Sequence, residues 1–230
     1  DAMRLTYTVR DRIAVEMWRS VQRISQESTH LKNNWGRGDT VRLGHLDTLL
    51  SGLNGFSGLA AESMTRADGW RFLDLGRRIE RALQGCQLLN ATLAKPGDDE
   101  SVSLELLLEI ADSIMTYRNR YLATLQPAPV LDLLLTDETN PRSIGFQLNC
   151  IMEHITQLPA DENRALRSVD SRIALSMQST LRLAQVYELA EVNRNGSREK
   201  LHRMLAKTGR QLLDLSDAIS GQYLVHAGLP

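Results

Sequence analysis

No proline occurs before Pro96, and the six prolines of the chain stand at 96, 127, 129, 141, 159 and 230. Proline removes a helix hydrogen bond and clashes with the preceding turn. A long proline-free opening rich in Arg, Glu, Leu, Met and Ala therefore suits long helices. Nowhere do β-branched and aromatic residues alternate over a strand's length between turn signals, so no strand is expected. With 230 residues, 42% hydrophobic and 24% charged, the chain can bury a core without disulfides or metals.

The spacing of apolar residues predicts seven helices. The first covers about 5–30, with Ile13, Met17, Val21, Ile24 and Leu31 in one stripe, and the run Asn33-Asn34-Trp35-Gly36-Arg37-Gly38 ends it. The second, about 40–64, carries Leu43, Leu46, Leu50, Leu53 and Phe56 together with Gly44, Gly52, Gly55 and Gly58. Each mid-helix glycine costs about 0.5–1 kcal/mol relative to alanine, so four imply close approach of a neighbouring helix or a kink. Asp68 is the expected N-cap of a third helix over about 69–93. A fourth runs from Ser101 or Ser103 to about 124, and a short apolar segment follows at 130–135. Asn140 as N-cap and Pro141 at the first helical position open a fifth that reaches about 158. The sixth and seventh cover about 161–192 and 197–225. Short connections predict an all-α, antiparallel up-and-down bundle, one domain over 1–230. The first helix starts without a capping signal, so the domain is expected to lack N-terminal helices.

Charge excludes some partners. Lys and Arg number 27 against 28 Asp and Glu, a net charge of −1, which leaves no broad footprint for nucleic acid. No apolar run approaches the roughly 18–20 residues of a membrane span, and the opening Asp1-Ala2-Met3-Arg4 runs directly into helical periodicity, so no signal peptide is expected. Cys86 and Cys150 sit among apolar residues as reduced core thiols, which places the chain in the cytoplasm. Only four of the basic residues are lysine, a bias that a GC-rich genome explains as well as bidentate anion recognition does.

The densest candidate for chemistry is the stretch Asp68-Gly69-Trp70-Arg71-Phe72-Leu73-Asp74-Leu75-Gly76-Arg77-Arg78-Ile79-Glu80-Arg81-Ala82. On a helix, Phe72, Leu75, Gly76, Ile79, Leu83 and Cys86 share the core face. Trp70, Arg77, Arg81 and Leu88 lie opposite, with Glu80 at the border. A tryptophan and two arginines in one row suit anion binding, partner docking, or packing on a helix absent from this chain. The plainer alternative is a solvated face with an Arg77–Glu80 pair worth a few tenths of a kcal/mol. Arg142 follows Pro141 at a helix start, where free N–H groups favour an anion. Arg118 and Arg120 form a small basic-aromatic cluster that is a candidate for the same groove. Glu27-x-x-His30 and Glu199-x-x-His202 have the spacing of di-iron bundles. Neither pair lies in an apolar stripe, so no metal site is expected. No nucleophile elbow, P-loop or dinucleotide fingerprint occurs, and His45, His154 and His226 read as partly buried or surface histidines.

The stretch 68–82 resembles the signature of the bacterial alpha-E family, all-helical proteins named for a Glu-Arg motif, here Glu80-Arg81. Three further stretches carry the same resemblance: Val9-Arg10-Asp11-Arg12-Ile13 with Glu16-Met17-Trp18; Leu133-Leu134-Leu135-Thr136-Asp137 with Asn140-Pro141-Arg142-Ser143-Ile144; and Leu215-Ser216-Asp217-Ala218-Ile219-Ser220 with Tyr223. Family members usually carry an earlier Leu-Gly-Arg…Glu-Arg helix, which this sequence lacks. The resemblance implies a partnership with circularly permuted ATP-grasp proteins, often near transglutaminase-like proteases, in systems that join a carboxylate to an amine. ATP and Mg²⁺ then belong to the partner, and no cofactor is expected in this chain.

Three roles follow for the Glu-Arg helix. It docks a ligase partner or an anionic substrate through Trp70, Arg77, Glu80, Arg81 and Arg142. Alternatively, the chain is an enzyme, with Glu80 as acid/base and Arg77 and Arg81 as anion clamps. In the third role, Glu80 and Arg81 are a buried ion pair that fixes helix register.

Overall fold

The structure, a computed structural model, describes residues 2–97, 99–121, 124–159 and 168–224. It is all-α. Among the described residues there are eleven α-helices and no strand, and no helix is long and apolar enough to cross a membrane. The chain packs as two compact units, 1–70 and 71–230.

In the first unit, the helix expected over 5–30 is interrupted. Helix α1 (Ala2–Thr8) and a 3-10 turn (Arg10–Arg12) precede α2 (Val15–Asn34), with extended backbone at Ile13 and Ala14. The break lets the chain double back on Trp18. The Tyr7 ring meets it edge-on at 4.7 Å, and the Arg10 guanidinium lies over it at 5.3 Å. Helix α3 (Asp39–Ser63) pairs with α2. Of its four interior glycines, Gly52 is the one whose missing side chain admits the neighbour. A Cβ there would lie 3.1 Å from Ile24 Cγ1, whereas at Gly44, Gly55 and Gly58 nothing lies within 4 Å. Leu43, Leu46, Leu50 and Leu53 form an exposed stripe on α3.

The second unit is built on α4, which runs Asp68–Leu93 as one uninterrupted helix. Leu75, Ile79, Ala82, Cys86, Leu89 and Leu93 form its buried stripe, spaced by three and four as helical geometry requires. Gly76, expected in the core, is exposed. The helix expected over about 101–124 divides into α5 (Glu100–Ile110) and α6 (Ile114–Tyr121) at Asp112, whose φ of 49° lies in the left-handed region. The cap of α5 is Asp99, which accepts from the N–H groups of Ser101 and Val102. The apolar segment expected at 130–135 is buried as α7 (Pro127–Leu131) and a π turn (Asp132–Thr136).

Helix α8 (Ile144–Thr156) begins later than expected, because Ser143 rather than Asn140 is its cap and accepts from Phe146 N–H at 3.1 Å. Buried Asn140 instead fastens the preceding loop. It donates to Leu133 O (3.1 Å) and Ser113 Oγ (3.3 Å) and accepts from Arg142 N–H (3.0 Å). The helix expected over 161–192 is seen as α9 (Val169–Arg182) and α10 (Val186–Ala190), and positions 161–167 lie outside the described residues. Helix α11 (Glu199–Ile219) continues as a π turn to Leu224, and position 225 lies outside the described residues. One apolar cluster of this unit joins Leu75 and Ile79 of α4, Leu148 and Ile151 of α8, Met177 of α9 and Leu212 of α11.

Candidate functional site

Six residues before the Glu-Arg motif, α4 carries a carboxylate into the protein. Asp74 is 4% exposed, a position open to a charged side chain only when it is paired. Three groups converge on it. Arg78, one turn on, donates through Nε to Oδ2 at 3.0 Å, and Arg77 approaches Oδ1 at 3.5 Å. From α8, His154 Nε2 lies 2.9 Å from Oδ2. Burial pushes the Asp74 carboxyl up, but the hydrogen bonds and charges of His154 and Arg78 outweigh it and hold the group at about 2.

Arg78 extends this network to the loop that opens α8. Its guanidinium donates to Gln147 Oε1 at 3.2 Å, Gln147 Nε2 donates to Pro141 O at 2.5 Å, and the Phe146 ring lies 5.4 Å from the guanidinium carbon. The loop that carries Arg142 is thereby fastened to α4. Arg142 pairs with Asp112 at 3.2 Å. Arg81 is exposed at its surface but partly desolvated along its length, and that desolvation, with the charges of Arg142, Arg77 and Arg78, lowers its pKa against the opposing charge of Asp74. Arg77, Arg78, Arg81 and Arg142 thus share one electropositive patch. Its sole buried carboxylate among the described contacts is Asp74.

The residues named from sequence take different positions. Arg77 and Arg142 both act on Arg81 through their charges. Glu80 is exposed, and no hydrogen bond or ion pair reaches it among the described residues. Arg77 pairs with Asp74 rather than Glu80. A buried Glu80–Arg81 ion pair is not formed. Trp70 closes the first unit, half-buried, with the Arg66 guanidinium 4.3 Å from its ring centroid. Arg118 and Arg120 are held by other carboxylates: Arg118 pairs with Glu105 at 3.3 Å and Arg120 with Asp137 at 2.6 Å.

Two further histidines are engaged outside this patch. His45 Nδ1 meets Glu27 at 2.5 Å, His202 meets Asn90 at 2.7 Å, and His226 lies outside the described residues. Among the described residues no group of three His, Cys, Asp or Glu side chains is arranged to hold a metal ion. Burial pushes the Cys86 thiol up to about 12 and raises that of Cys150, so neither is an activated nucleophile.

Sequence reasoning missed Asp74, Arg78, Gln147, His154 and Asp112. The one local signal was the Asp74–Arg78 spacing of four, which places the pair on one helix face.

Comparison with known proteins gives a consistent picture. A family model described as an alpha-helical domain with a conserved ER motif matches residues 1–224, and the one Glu-Arg dipeptide in the sequence is Glu80-Arg81. An uncharacterized protein of Mycobacterium bovis is 31% identical over 228 residues, 96% of this chain and 25% of its own length. Uncharacterized proteins of two Mycobacterium tuberculosis strains match with the same identity and coverage. The chain therefore spans about a quarter of the length of these relatives. No solved structure matches it. The match over nearly the whole chain, on an all-α fold that carries the Glu-Arg helix, shows that the chain belongs to the Alpha-E family.

Proposed function

We propose that the chain is a helical accessory module of an ATP-grasp-type carboxylate–amine ligase system in the cytoplasm. Its Glu-Arg helix docks the ligase partner, a circularly permuted ATP-grasp protein or domain, or an anionic substrate of that partner. ATP and Mg²⁺ belong to the partner. A transglutaminase-like protein is a further component of the same system. The observation that carries the reading is Arg81. It is exposed, no hydrogen bond or ion pair reaches it among the described residues, and it stands among three other arginines. A guanidinium presented this way is available to a carboxylate or phosphate from outside the chain.

The alternative, a stand-alone enzyme with Glu80 as acid/base, has less in its favour. Glu80 is solvent-exposed and, among the described residues, lacks the burial or partner that tunes a carboxylate for proton transfer.

The deciding experiment follows ADP release by the cognate ATP-grasp protein with and without this chain. The module reading expects higher turnover with the chain present and loss of that gain in Arg81→Ala. Turnover indifferent to the chain overturns it.

A further inference from the structure

Two arginines of the patch differ from the others in how they are held. Arg78 is committed to Asp74 and Gln147, and Arg77 contacts Asp74. Arg81 has neither a hydrogen bond nor an ion pair among the described residues. Arg142 holds Asp112 through side chains that are 45% and 82% exposed. A pair so exposed is screened by water and exchanges readily with an outside anion.

Arg81 and Arg142 come from separate elements, yet a fixed chain of contacts relates them. Asp74 orients Arg78, Arg78 holds Gln147, and Gln147 holds Pro141, the residue before Arg142. The loop bearing Arg142 is therefore fastened to the turn of α4 that leads into Arg81. A carboxylate presents two coplanar oxygens, which a single guanidinium fork satisfies. A phosphate presents oxygens in tetrahedral directions and carries a second charge, so it can accept from forks on two elements and match both.

We propose that Arg81 and Arg142 form a receptor for a phosphate dianion, and that Asp112 occupies Arg142 as an internal placeholder until the anion arrives. The inference rests on the docking role proposed for the same helix and assigns the chemistry recognised there, a phosphorylated ligand. Asp112 is suited to a displaceable role. It stands between α5 and α6 at φ 49°, and its side chain reaches Arg142 across solvent. Asparagine also tolerates that backbone conformation, so Asp112→Asn removes the charge and leaves the turn intact.

The test is calorimetric titration of the 230-residue chain with inorganic phosphate at pH 8, and with acetate at matched ionic strength. Phosphate is expected to bind at least tenfold tighter than acetate. Asp112→Asn is expected to tighten phosphate at least threefold, because the competing carboxylate is gone. Arg81→Gln and Arg142→Gln should each weaken it at least tenfold, whereas Arg203→Ala, on the exposed face of α11, should leave it unchanged. Equal binding of acetate and phosphate, or an Asp112→Asn variant no tighter than wild type, overturns the assignment. Far-UV circular dichroism of each variant distinguishes a lost receptor from a lost fold, and Asp112→Asn tests the idea through a gain that no unfolded protein can show. The outcome is separable from that of the docking role. If the ligase gain depends on Arg81 but the phosphate pattern fails, docking stands and the receptor falls. If the phosphate pattern holds while turnover ignores the chain, the receptor stands and docking falls.

Discussion

Asp74 Oδ2 and His154 Nε2 meet at 2.9 Å across 80 residues of sequence, and both side chains are nearly closed to water. The contact joins α4 to α8 by a polar bond set within the core of the second unit. Removing one member of a buried, hydrogen-bonded set leaves the others unpaired in a poorly solvated site. Asp74→Ala should accordingly destabilise the chain by about 3–5 kcal/mol, and His154→Ala by about 1–3 kcal/mol, since Arg78 still neutralises Asp74. Urea denaturation of the two variants checks the order. Equal losses would mean that Arg78 does not compensate.

The same carboxylate sets a pH dependence. Its folded value of about 2 lies below the ordinary 3.8, so between those values the unfolded chain binds more protons than the folded one. The stability it contributes is fully present above pH about 4 and is lost as pH falls through about 2. Asp137 and Glu138 are also shifted downward and add slope of the same sign. Urea midpoints measured from pH 5 to 2.5 should fall more steeply for wild type than for Asp74→Asn. Parallel slopes would remove Asp74 as a source of the acid sensitivity.

How much of this was legible in sequence depends on whether a feature is local. Leu75, Ile79 and Cys86 follow from helical spacing because apolar periodicity reports directly on which face is buried. Arg77 and Arg81 share a row for the same reason. Asp74 stands beside Leu75 in the sequence, and its contact with His154 of α8 is one that no local pattern encodes. Asp112 divides a predicted helix without a glycine or proline to mark the break, and the break is what carries its carboxylate to Arg142. The Glu-Arg dipeptide directs attention to Glu80, yet helix geometry turns that residue to solvent and gives the buried carboxylate role to a residue six positions earlier.

Two glycines near the patch should respond in opposite directions. Gly145, at the start of α8, lets the helix seat against the π turn, and a Cβ there would lie 2.7 Å from Thr136 O and 3.0 Å from Thr136 C. Backbone atoms cannot swing aside, so Gly145→Ala should cost about 1–3 kcal/mol through overpacking. At Gly76 nothing lies within 4 Å of an added Cβ, and Gly76→Ala should stabilise α4 by about 0.5–1 kcal/mol. Thermal melts of both variants decide the matter. Destabilisation by Gly76→Ala would show that this exposed turn of α4 needs its backbone freedom.

Away from the patch, Arg198 is the residue on which the second unit's helix ends depend. It is 2% exposed. Its Nε donates to Ala190 O at 2.8 Å and its Nη1 to Leu93 O at 3.0 Å. Its backbone N–H reaches Ala94 O at 2.8 Å, and Glu100 Oε1 lies 2.6 Å away. One guanidinium thus satisfies carbonyls at the ends of α4 and α10, which have no partner within their own helices, while Glu100 neutralises it. Arg198→Met keeps the side chain's bulk but leaves those carbonyls and Glu100 unpaired, and should cost about 3–5 kcal/mol. Arg198→Lys keeps the charge without the planar fork and should fall between that variant and wild type. Arg203, whose pair with Glu199 at 3.2 Å is solvent-exposed, should change stability by no more than about 0.5 kcal/mol when replaced by alanine. Equilibrium urea unfolding gives all three values. An Arg198→Met variant as stable as Arg203→Ala would mean that solvent, not Arg198, satisfies the helix ends.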